Sequence, residues 1–138
     1  MLQTWSVSAV LLYAIAAAAI LIYVPFGVVA YGRMTVGYDT AAPRAAFDKL
    51  PAFAQRATWA HQNSFESFMI FAAAALMAYV TGVESPTALW AAIAYVVARF
   101  FFSVFYILNV PLGRSLMFGV GSGAIATLFV LSLMQVTP

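Results

Sequence analysis

The sequence predicts an all-α integral membrane protein, built as a bundle of four transmembrane helices. Three observations predict this class: a mean hydropathy of +0.98, a charged fraction of only 7%, and four long apolar stretches separated by polar breaks. Soluble domains carry about 25% charged residues, so this composition indicates a chain embedded in a lipid bilayer. Since a spanning helix needs about 20 apolar residues, residues 1–138 suit one four-helix domain.

Composition also excludes several kinds of chemistry. The net charge is only +2 and no basic run is present, so we expect no nucleic-acid binding. The chain has no cysteine, which excludes a disulfide, a thiolate metal site and a cysteine nucleophile, and any reactive thiol must come from a ligand. A single histidine among scattered carboxylates lacks metal-ligand spacing, so we predict no metal site.

The apolar stretches place the helices at about 5–32, 56–80, 87–108 and 114–136. The first stretch lacks a basic start and is too long for the apolar core of a signal peptide, so we interpret it as a retained helix. Pro25 predicts a kink there, with the freed carbonyl satisfied by neighbouring protein. In the polar loop that follows, Pro43 predicts the start of a short helix, and Thr40 is its candidate cap.

Glycines in the last stretch bear on helix packing. Gly119 and Gly123 form a GxxxG pattern, which predicts that helix four packs closely against another helix. Glycine is also common in membrane helices generally, and this second interpretation has equal weight. Helices two and three are joined by the short turn 81–86, which makes them antiparallel neighbours.

The distribution of basic residues predicts the topology. Arg33, Arg44 and Lys49 lie in or beside the first loop, and Arg114 follows the third break. The second turn and both tails contain no lysine or arginine. The positive-inside rule therefore places the first and third loops in the cytoplasm and both termini outside it.

Two ionisable residues lie deep in the predicted membrane helices. Glu66 is ten residues past Arg56, and Arg99 is ten residues before Asn109, so both lie about 15 Å from the same edge. An unpaired charge at that depth costs about 2.5–3.5 kcal/mol, so we predict that Glu66 and Arg99 form a pair. Such a pair could simply fix helix register, and these two residues alone leave that alternative open.

Polar residues around the predicted pair form a stripe on each of the two helices. Their spacing places them on one face of each helix: Arg56, Asn63 and Glu66 on the second, and Arg99, Ser103 and Tyr106 on the third. An ion pair that only fixed the helix register would not need this many polar groups around it. The stripes therefore indicate a cleft for a polar, zwitterionic or anionic ligand.

Two further features have a structural and a functional interpretation. His61 lies on a different face from Asn63, and we interpret it as a structural or inter-subunit residue rather than a ligand-binding one. Arg114 and Ser115 open helix four, where the helix dipole and free N–H groups favour an anion. A thiol bound there would have its pKa lowered, whereas for Arg114 taken alone the favoured interpretation is a membrane-interface anchor.

The segment 56–66 resembles a signature of the MAPEG family, the membrane-associated proteins of eicosanoid and glutathione metabolism. That signature reads R, then A-H-x-N-x-x-E, and it aligns Arg56, Asn63 and Glu66. Arg99, Tyr106 and the pair that opens helix four are similar to further family positions. The resemblance covers essentially the whole chain and is closest to bacterial members that resemble microsomal glutathione transferases.

This resemblance implies a homotrimer of four-helix subunits, with glutathione held in clefts between neighbouring subunits. Carried over by position, the glutathione-binding residues would be Arg33, Arg56, Asn63, Glu66, Arg99 and Tyr106. Arg114, helped by Ser115, would stabilise the thiolate, and Arg33 would contribute from the adjacent subunit. The location implied is the bacterial inner membrane.

The function predicted is a membrane glutathione transferase or peroxidase. It would conjugate or reduce lipophilic small molecules that enter from the bilayer, which is a detoxification chemistry. A non-catalytic relative that only binds glutathione is one alternative. The other is a small proton-coupled exporter, which needs a membrane carboxylate that is free to titrate, whereas Glu66 is predicted to have Arg99 as a partner.

Overall fold

The structure, a computed structural model, describes residues 5–138. Four long helices account for most of this range, and a short 3₁₀ helix, Pro43–Lys49, lies between the first two. The long helices are α1 (Val7–Val36), α2 (Ala52–Val80), α3 (Pro86–Ile107) and α4 (Pro111–Val136). Each is long and apolar enough to cross a membrane, and residues 5–138 contain no β-strand. The predicted class, an all-α membrane protein with four spans, is confirmed.

The helix starts follow local capping chemistry. The hydroxyl of Ser6 accepts a hydrogen bond from the Ala9 N–H at 3.2 Å, so one of the free donors of α1 is satisfied. α3 and α4 both begin with proline, which has no N–H to satisfy at a first helical position. α2 begins at Ala52 rather than near residue 56, because Pro51 precedes it as the N-cap and the helical pattern continues backward from Arg56.

The helices pack as an up-and-down bundle. α1 contacts mainly α2, and α3 contacts mainly α4. The Ser8 hydroxyl, near the start of α1, is hydrogen-bonded to Glu84 in the turn before α3, so α1 and α3 start at the same end and run in the same direction. We call the end that carries residues 37–51 and 108–110 the loop end, and the end that carries residues 81–85 the turn end.

Small residues let the helices approach closely at two places. A Cβ added to Gly32 of α1 would collide with the Cβ of Ala54 on α2, so glycine is required at this contact. On α4, a Cβ added to Gly121 would lie 3.7 Å from the side chains of Arg99 and Tyr95. Gly119 and Gly123 instead face outward, with no atom of residues 5–138 within 4 Å of an added Cβ. The GxxxG pattern therefore makes no close contact inside the subunit, contrary to the packing interpretation.

The kink position in α1 is bridged by α2. α1 continues as a helix through Pro25, and the carbonyl oxygen of Ile22 lies 2.8 Å from Nδ1 of His61. Since a carbonyl only accepts, the hydrogen sits on Nδ1 of this histidine. Pro25 lacks the N–H that would bond the carbonyl of Leu21, and His61 binds the next carbonyl, that of Ile22, in the same weakened turn. The structural role predicted for His61 is confirmed by this bond.

The first loop contains the predicted short helix, but its cap differs from the prediction. The 3₁₀ helix starts at Pro43 and has no side-chain cap, so Thr40 does not cap it. A carboxylate oxygen of Asp39 instead accepts a hydrogen bond from the Ala41 N–H at 2.8 Å. The aspartate is the better acceptor because its charge strengthens a bond to a backbone N–H in a tight turn.

Candidate functional site

The predicted site residues lie around two separate cavities at the loop end, on opposite sides of α2. The first, which we call the α4 cleft, has a volume of about 270 Å³ and is lined by Asn63, Phe102, Tyr106, Arg114, Ser115 and Phe118. The second, which we call the loop cavity, has a volume of about 880 Å³ and is lined by Phe26, Val29, Arg33, Pro43, Arg44, Phe47, Leu50, Thr58, His61, Gln62, Phe65 and Glu66.

The α4 cleft places a cation at a helix N-terminus. Arg114 and Ser115 lie in the first turns of α4, which begins at Pro111. The guanidinium of Arg114 lies over the ring of Tyr106, with its Cζ 4.7 Å from the ring centroid. A cation–π contact of this kind holds the side chain in place without using its N–H donors. The cleft therefore combines a positioned cation, a hydroxyl and the positive end of a helix dipole.

Gly113 is needed for this arrangement. A Cβ added to it would lie 2.8 Å from the ring of Phe105, so the start of α4 can approach α3 only because residue 113 has no side chain. This contact brings Arg114 over Tyr106, the next aromatic residue of α3.

Arg99 lies at the centre of the bundle behind the α4 cleft. Only 4% of its surface is exposed. Its Nη2 donates to Oδ1 of Asn63 at 3.0 Å and to Oγ of Ser64 at 3.2 Å, and its Cζ lies 4.0 Å from the ring centroid of Phe102. Its Nε is buried and has no hydrogen-bond partner within residues 5–138. A buried, unpartnered guanidinium N–H is costly, so this atom is a candidate for contact with a polar ligand or water.

The predicted ion pair between Glu66 and Arg99 is not formed within the subunit. Glu66 is exposed, and its Oε1 accepts a hydrogen bond from Gln62 at 3.3 Å. Arg99 uses the neutral Asn63 and Ser64 as its partners. The physical reason is the direction of the side chains: equal depth puts two residues in the same layer, but Glu66 points away from α3, on the side of α2 that borders the loop cavity.

Arg56 links two helices of the bundle and lines neither cavity. Its Nε donates to the backbone carbonyl of Ile107 at 2.9 Å, one of the last residues of α3. The last carbonyls of a helix have no intrahelical donors, and a cation there also complements the negative end of the helix dipole. Within residues 5–138, this contact gives Arg56 a structural function at the loop end.

The loop cavity collects charged groups that have few partners inside the subunit. Arg33 borders it near the end of α1, and its Nε is buried without a hydrogen-bond partner within residues 5–138. Arg44, His61 and Glu66 border the same space, together with Phe26 and other aromatic side chains. Nδ1 of His61 is bound to α1, and its Nε2 makes no hydrogen bond within residues 5–138.

The structure thus divides the predicted site. Asn63, Tyr106, Arg114 and Ser115 meet in the α4 cleft, and Arg99 contacts Asn63 from behind. Arg33 and Glu66 lie beside the loop cavity instead. The polar stripe predicted on α2 is therefore split between the two cavities. Asn63 and Glu66 are three residues apart and lie on opposite sides of the line along which α2 contacts α3.

Sequence reasoning missed three residues that contribute to these cavities. Ser64 binds Arg99, Phe102 stacks against Arg99 and lines the α4 cleft, and Arg44 borders the loop cavity. Ser64 was detectable, because it continues the buried stripe of Ala57 and Ala60 and is the polar member of it. Phe102 lies in the aromatic run 100–102, and nothing in its spacing distinguishes lipid contact from the wall of a cavity.

The fold and these cavities define an integral membrane protein with a polar, cation-bearing site between its helices at one end of the bundle. The model of the MAPEG family matches residues 10–134, so the chain belongs to the MAPEG family. No curated protein and no solved structure matches it. Family membership places the chain among membrane proteins of glutathione or eicosanoid metabolism.

Proposed function

We propose that the protein is a membrane glutathione transferase or peroxidase, which conjugates or reduces lipophilic electrophiles that reach it through the bilayer. The observation that carries the proposal is the α4 cleft, where Arg114 and Ser115 at a helix N-terminus face Asn63 and Tyr106. Family membership supports glutathione as the polar substrate. The tripeptide supplies the thiol that this cysteine-free chain lacks.

The residues of the cleft fit an anionic thiol peptide. Glutathione carries carboxylates, and the buried Nε of Arg99 is a donor with no partner inside residues 5–138. A charge-assisted hydrogen bond to a carboxylate would satisfy it. Arg114 is held over Tyr106 with its donors free to stabilise a thiolate, and Ser115 adds a hydroxyl beside it. Neither side chain needs to move a proton, because their contribution is electrostatic.

The proposal includes a homotrimer in which each site lies between two subunits. A cavity of about 270 Å³ is below the range of about 300–1,000 Å³ in which ligand pockets normally fall. The remaining predicted groups, Arg33 and Glu66, border the loop cavity on the far side of α2. A neighbouring subunit that presents its Arg33 to the α4 cleft would complete the set of cations.

The proposal has two alternatives, and a specific observation favours the second. A non-catalytic glutathione-binding relative would use the same cleft without turnover. A proton-coupled exporter needs a free membrane carboxylate, and Glu66 is exposed and makes no ion pair within residues 5–138. The sequence-based argument against an exporter, which relied on an Arg99 partner, is therefore wrong, and family membership is what favours the transferase.

The test is the Arg114→Leu variant in a thiolate difference spectrum. A thiolate absorbs in the ultraviolet where a thiol does not, so adding glutathione to the wild type near neutral pH should give a positive signal. The variant should lose that signal and lose turnover of an aryl halide or hydroperoxide by about 10²–10³, the size expected for one preorganised electrostatic group. Binding should fall less, because Arg99 and Asn63 remain.

Lys49→Leu is the matched control, because it removes one positive charge from the same end of the bundle and Lys49 borders neither cavity. Its spectrum and turnover should equal those of the wild type. Full thiolate signal and full turnover in Arg114→Leu would return Arg114 to the role of an interface anchor. Glutathione binding without any turnover in the wild type would select the non-catalytic relative.

The trimer is tested by mass spectrometry of the protein released from detergent micelles, which should show three chains. A monomer that still binds glutathione would contradict the inter-subunit site. An antiparallel dimer would favour the exporter. The proposed orientation, with the first and third loops in the cytoplasm, is tested by labelling a cysteine introduced at Asp48 in intact cells, where an impermeant reagent should not reach it.

A further inference from the structure

A third cavity lies at the turn end of the bundle, away from the two cavities described above. It is an open groove between α1 and α3 with a volume of about 730 Å³, which we call the turn-end groove. Its walls are almost wholly apolar and include Trp5, Tyr13, Ala17, Leu89, Trp90 and Val97. Since α1 and α3 are parallel, the groove follows both helix axes.

The length of the groove matches one leaflet of a bilayer. Its helical lining runs from Val7 to Ala17 on α1 and from Pro86 to Val97 on α3, and Trp5 lies just before α1. At 1.5 Å per residue these spans are about 15–17 Å, and half of a hydrocarbon core is about 15 Å. Trp5 and Trp90 flank the groove with 63% and 66% of their surfaces exposed. Exposed tryptophans at a helix end are typical of the interface between the hydrocarbon and the head groups.

One carboxylate stands at the mouth of this groove. Glu84, in the turn between α2 and α3, is the one ionisable acidic or basic side chain among the residues that line it. It is exposed, and its Oε1 accepts a hydrogen bond from the Ser8 hydroxyl at 3.2 Å. This bond fixes the carboxylate between the start of α1 and the turn. The second carboxylate oxygen has no hydrogen-bond donor within residues 5–138.

We propose that the turn-end groove binds one acyl chain of a phospholipid whose head group carries a primary ammonium, with that ammonium donating to Glu84. The apolar walls suit the chain, and the fixed carboxylate suits a cation with N–H donors. An anionic head group would be repelled by Glu84, and a quaternary ammonium has no N–H to donate. Phosphatidylethanolamine is the probe lipid with this chemistry.

Charge also argues against a second copy of this chain as the occupant. The six basic residues are Arg33, Arg44, Lys49, Arg56, Arg99 and Arg114. None lies in the turn 81–85 or after residue 114, so in a parallel assembly a neighbour brings no lysine or arginine side chain to the depth of Glu84. A lipid ammonium in the same leaflet supplies that charge. The groove is independent of the proposed glutathione site, because it lies at the opposite end of the bundle.

The experiment counts lipids that stay bound to the protein in native mass spectrometry. The detergent-purified protein is titrated with phosphatidylethanolamine, phosphatidylcholine and phosphatidylglycerol of identical acyl chains. The wild type should retain the ethanolamine lipid over the choline lipid by about tenfold, close to the lower end expected for one hydrogen bond to a charged group. Glu84→Gln should remove this preference and leave the retention of phosphatidylcholine unchanged.

Two matched controls distinguish the contribution of the lipid head group to binding from that of the acyl chain. Asp48→Asn removes the same charge at the loop end and should keep the preference. Leu89→Trp fills the groove and should lower retention of all three lipids, whereas Leu133→Trp adds the same bulk to an exposed position of α4 outside the groove and should not. Should Leu89→Trp fail to fold, the Glu84→Gln comparison decides the question alone.

Three results would overturn the proposal. Equal retention of the three lipids by the wild type would remove the head-group specificity. An unchanged ethanolamine preference in Glu84→Gln would place the ammonium elsewhere. Finally, if Leu89→Trp altered the number of chains per particle with no effect on lipid retention, the groove would be covered by a second copy rather than by lipid.

Discussion

The two sides of α2 handle their polar groups in opposite ways. On the side that faces α3, Asn63 and Ser64 bind Arg99, and Ser67 is hydrogen-bonded to the Tyr95 hydroxyl at 3.0 Å. On the side that faces the loop cavity, Glu66 accepts only from its neighbour Gln62. We call these the inner and the outer side of α2.

This difference distinguishes polar groups that contribute to helix packing from polar groups that are available to bind a ligand or another subunit. On the inner side, the polar groups of α2 are bound by α3, so they fix how the two helices meet, and Nε of Arg99 is the buried donor left without a partner there within residues 5–138. Across the outer side, the buried Nε of Arg33 has no partner within residues 5–138, and Glu66 has no cation. Groups that the subunit leaves unsatisfied need water, a ligand or a neighbouring subunit. The outer side, like Nε of Arg99 behind the α4 cleft, is therefore where assembly or ligand binding should change the environment.

The largest expected effect on stability comes from adding a side chain at Gly32, where α1 and α2 are in close contact beside Arg33. Gly32→Val should destabilise the protein by about 3 kcal/mol, because its Cβ meets the Cβ of Ala54 and neither atom can rotate away. Thermal melting in detergent measures this. Gly27→Ala is the control, since an added Cβ there meets nothing within 4 Å and its stability should be unchanged or slightly higher. Equal melting of the two variants would mean that the contact between α1 and α2 is looser than described.

The next effect tests the inner side. Asn63→Leu should cost about 1.5–3 kcal/mol, because the buried Arg99 loses the acceptor at 3.0 Å while its charge remains. Adding Arg99→Leu should recover part of the loss, since removing a buried charge together with its partner is often nearly neutral. A double-mutant cycle in thermal melts should give a coupling of about 0.5–3 kcal/mol. Strictly additive losses would contradict the bond between Arg99 and Asn63.

The smallest effect tests whether the two sides communicate within a subunit. Glu66→Gln and Arg99→Leu should be additive within about 0.3–0.5 kcal/mol, because the residues share no hydrogen-bond partner. Melting of the four proteins without ligand measures this. A coupling larger than 1 kcal/mol would restore the ion pair that the sequence predicts, formed either by rearrangement or across subunits. Repeating the cycle with glutathione present distinguishes a ligand-dependent coupling.

Much of the fold follows from the sequence because membrane helices are specified locally. Four spans were predicted from apolar length alone, and the predicted boundaries differ from the observed ones mainly where a proline such as Pro51 or Pro111 allows an earlier start. The role of His61 was predicted from its position on a different face from Asn63, and its bond to α1 confirms it. The positions of Arg114 and Ser115 in the first turns of α4 also follow from the sequence.

The predicted pairing failed for a reason that sequence cannot resolve. Depth in a helix is linear in residue number, so Glu66 and Arg99 were correctly placed in one layer. Which way each side chain points depends on how α2 rotates against α3. That rotation is set by the close packing of small residues such as Ala57, Ala60 and Ala74, all of which are fully buried.

The sequence by itself determined a cysteine-free, four-span membrane chain with a cation at the start of α4, because hydropathy, composition and helix capping act over short stretches. The tertiary structure alone decided that Arg99 takes Asn63 and Ser64 as partners and that Arg33 and Glu66 border a different cavity from Arg114. Which polar side chains bind one another depends on how each helix is rotated about its axis and on close helix contacts such as that of Gly32 with Ala54. Those contacts join residues far apart in the chain, and no local pattern encodes their geometry.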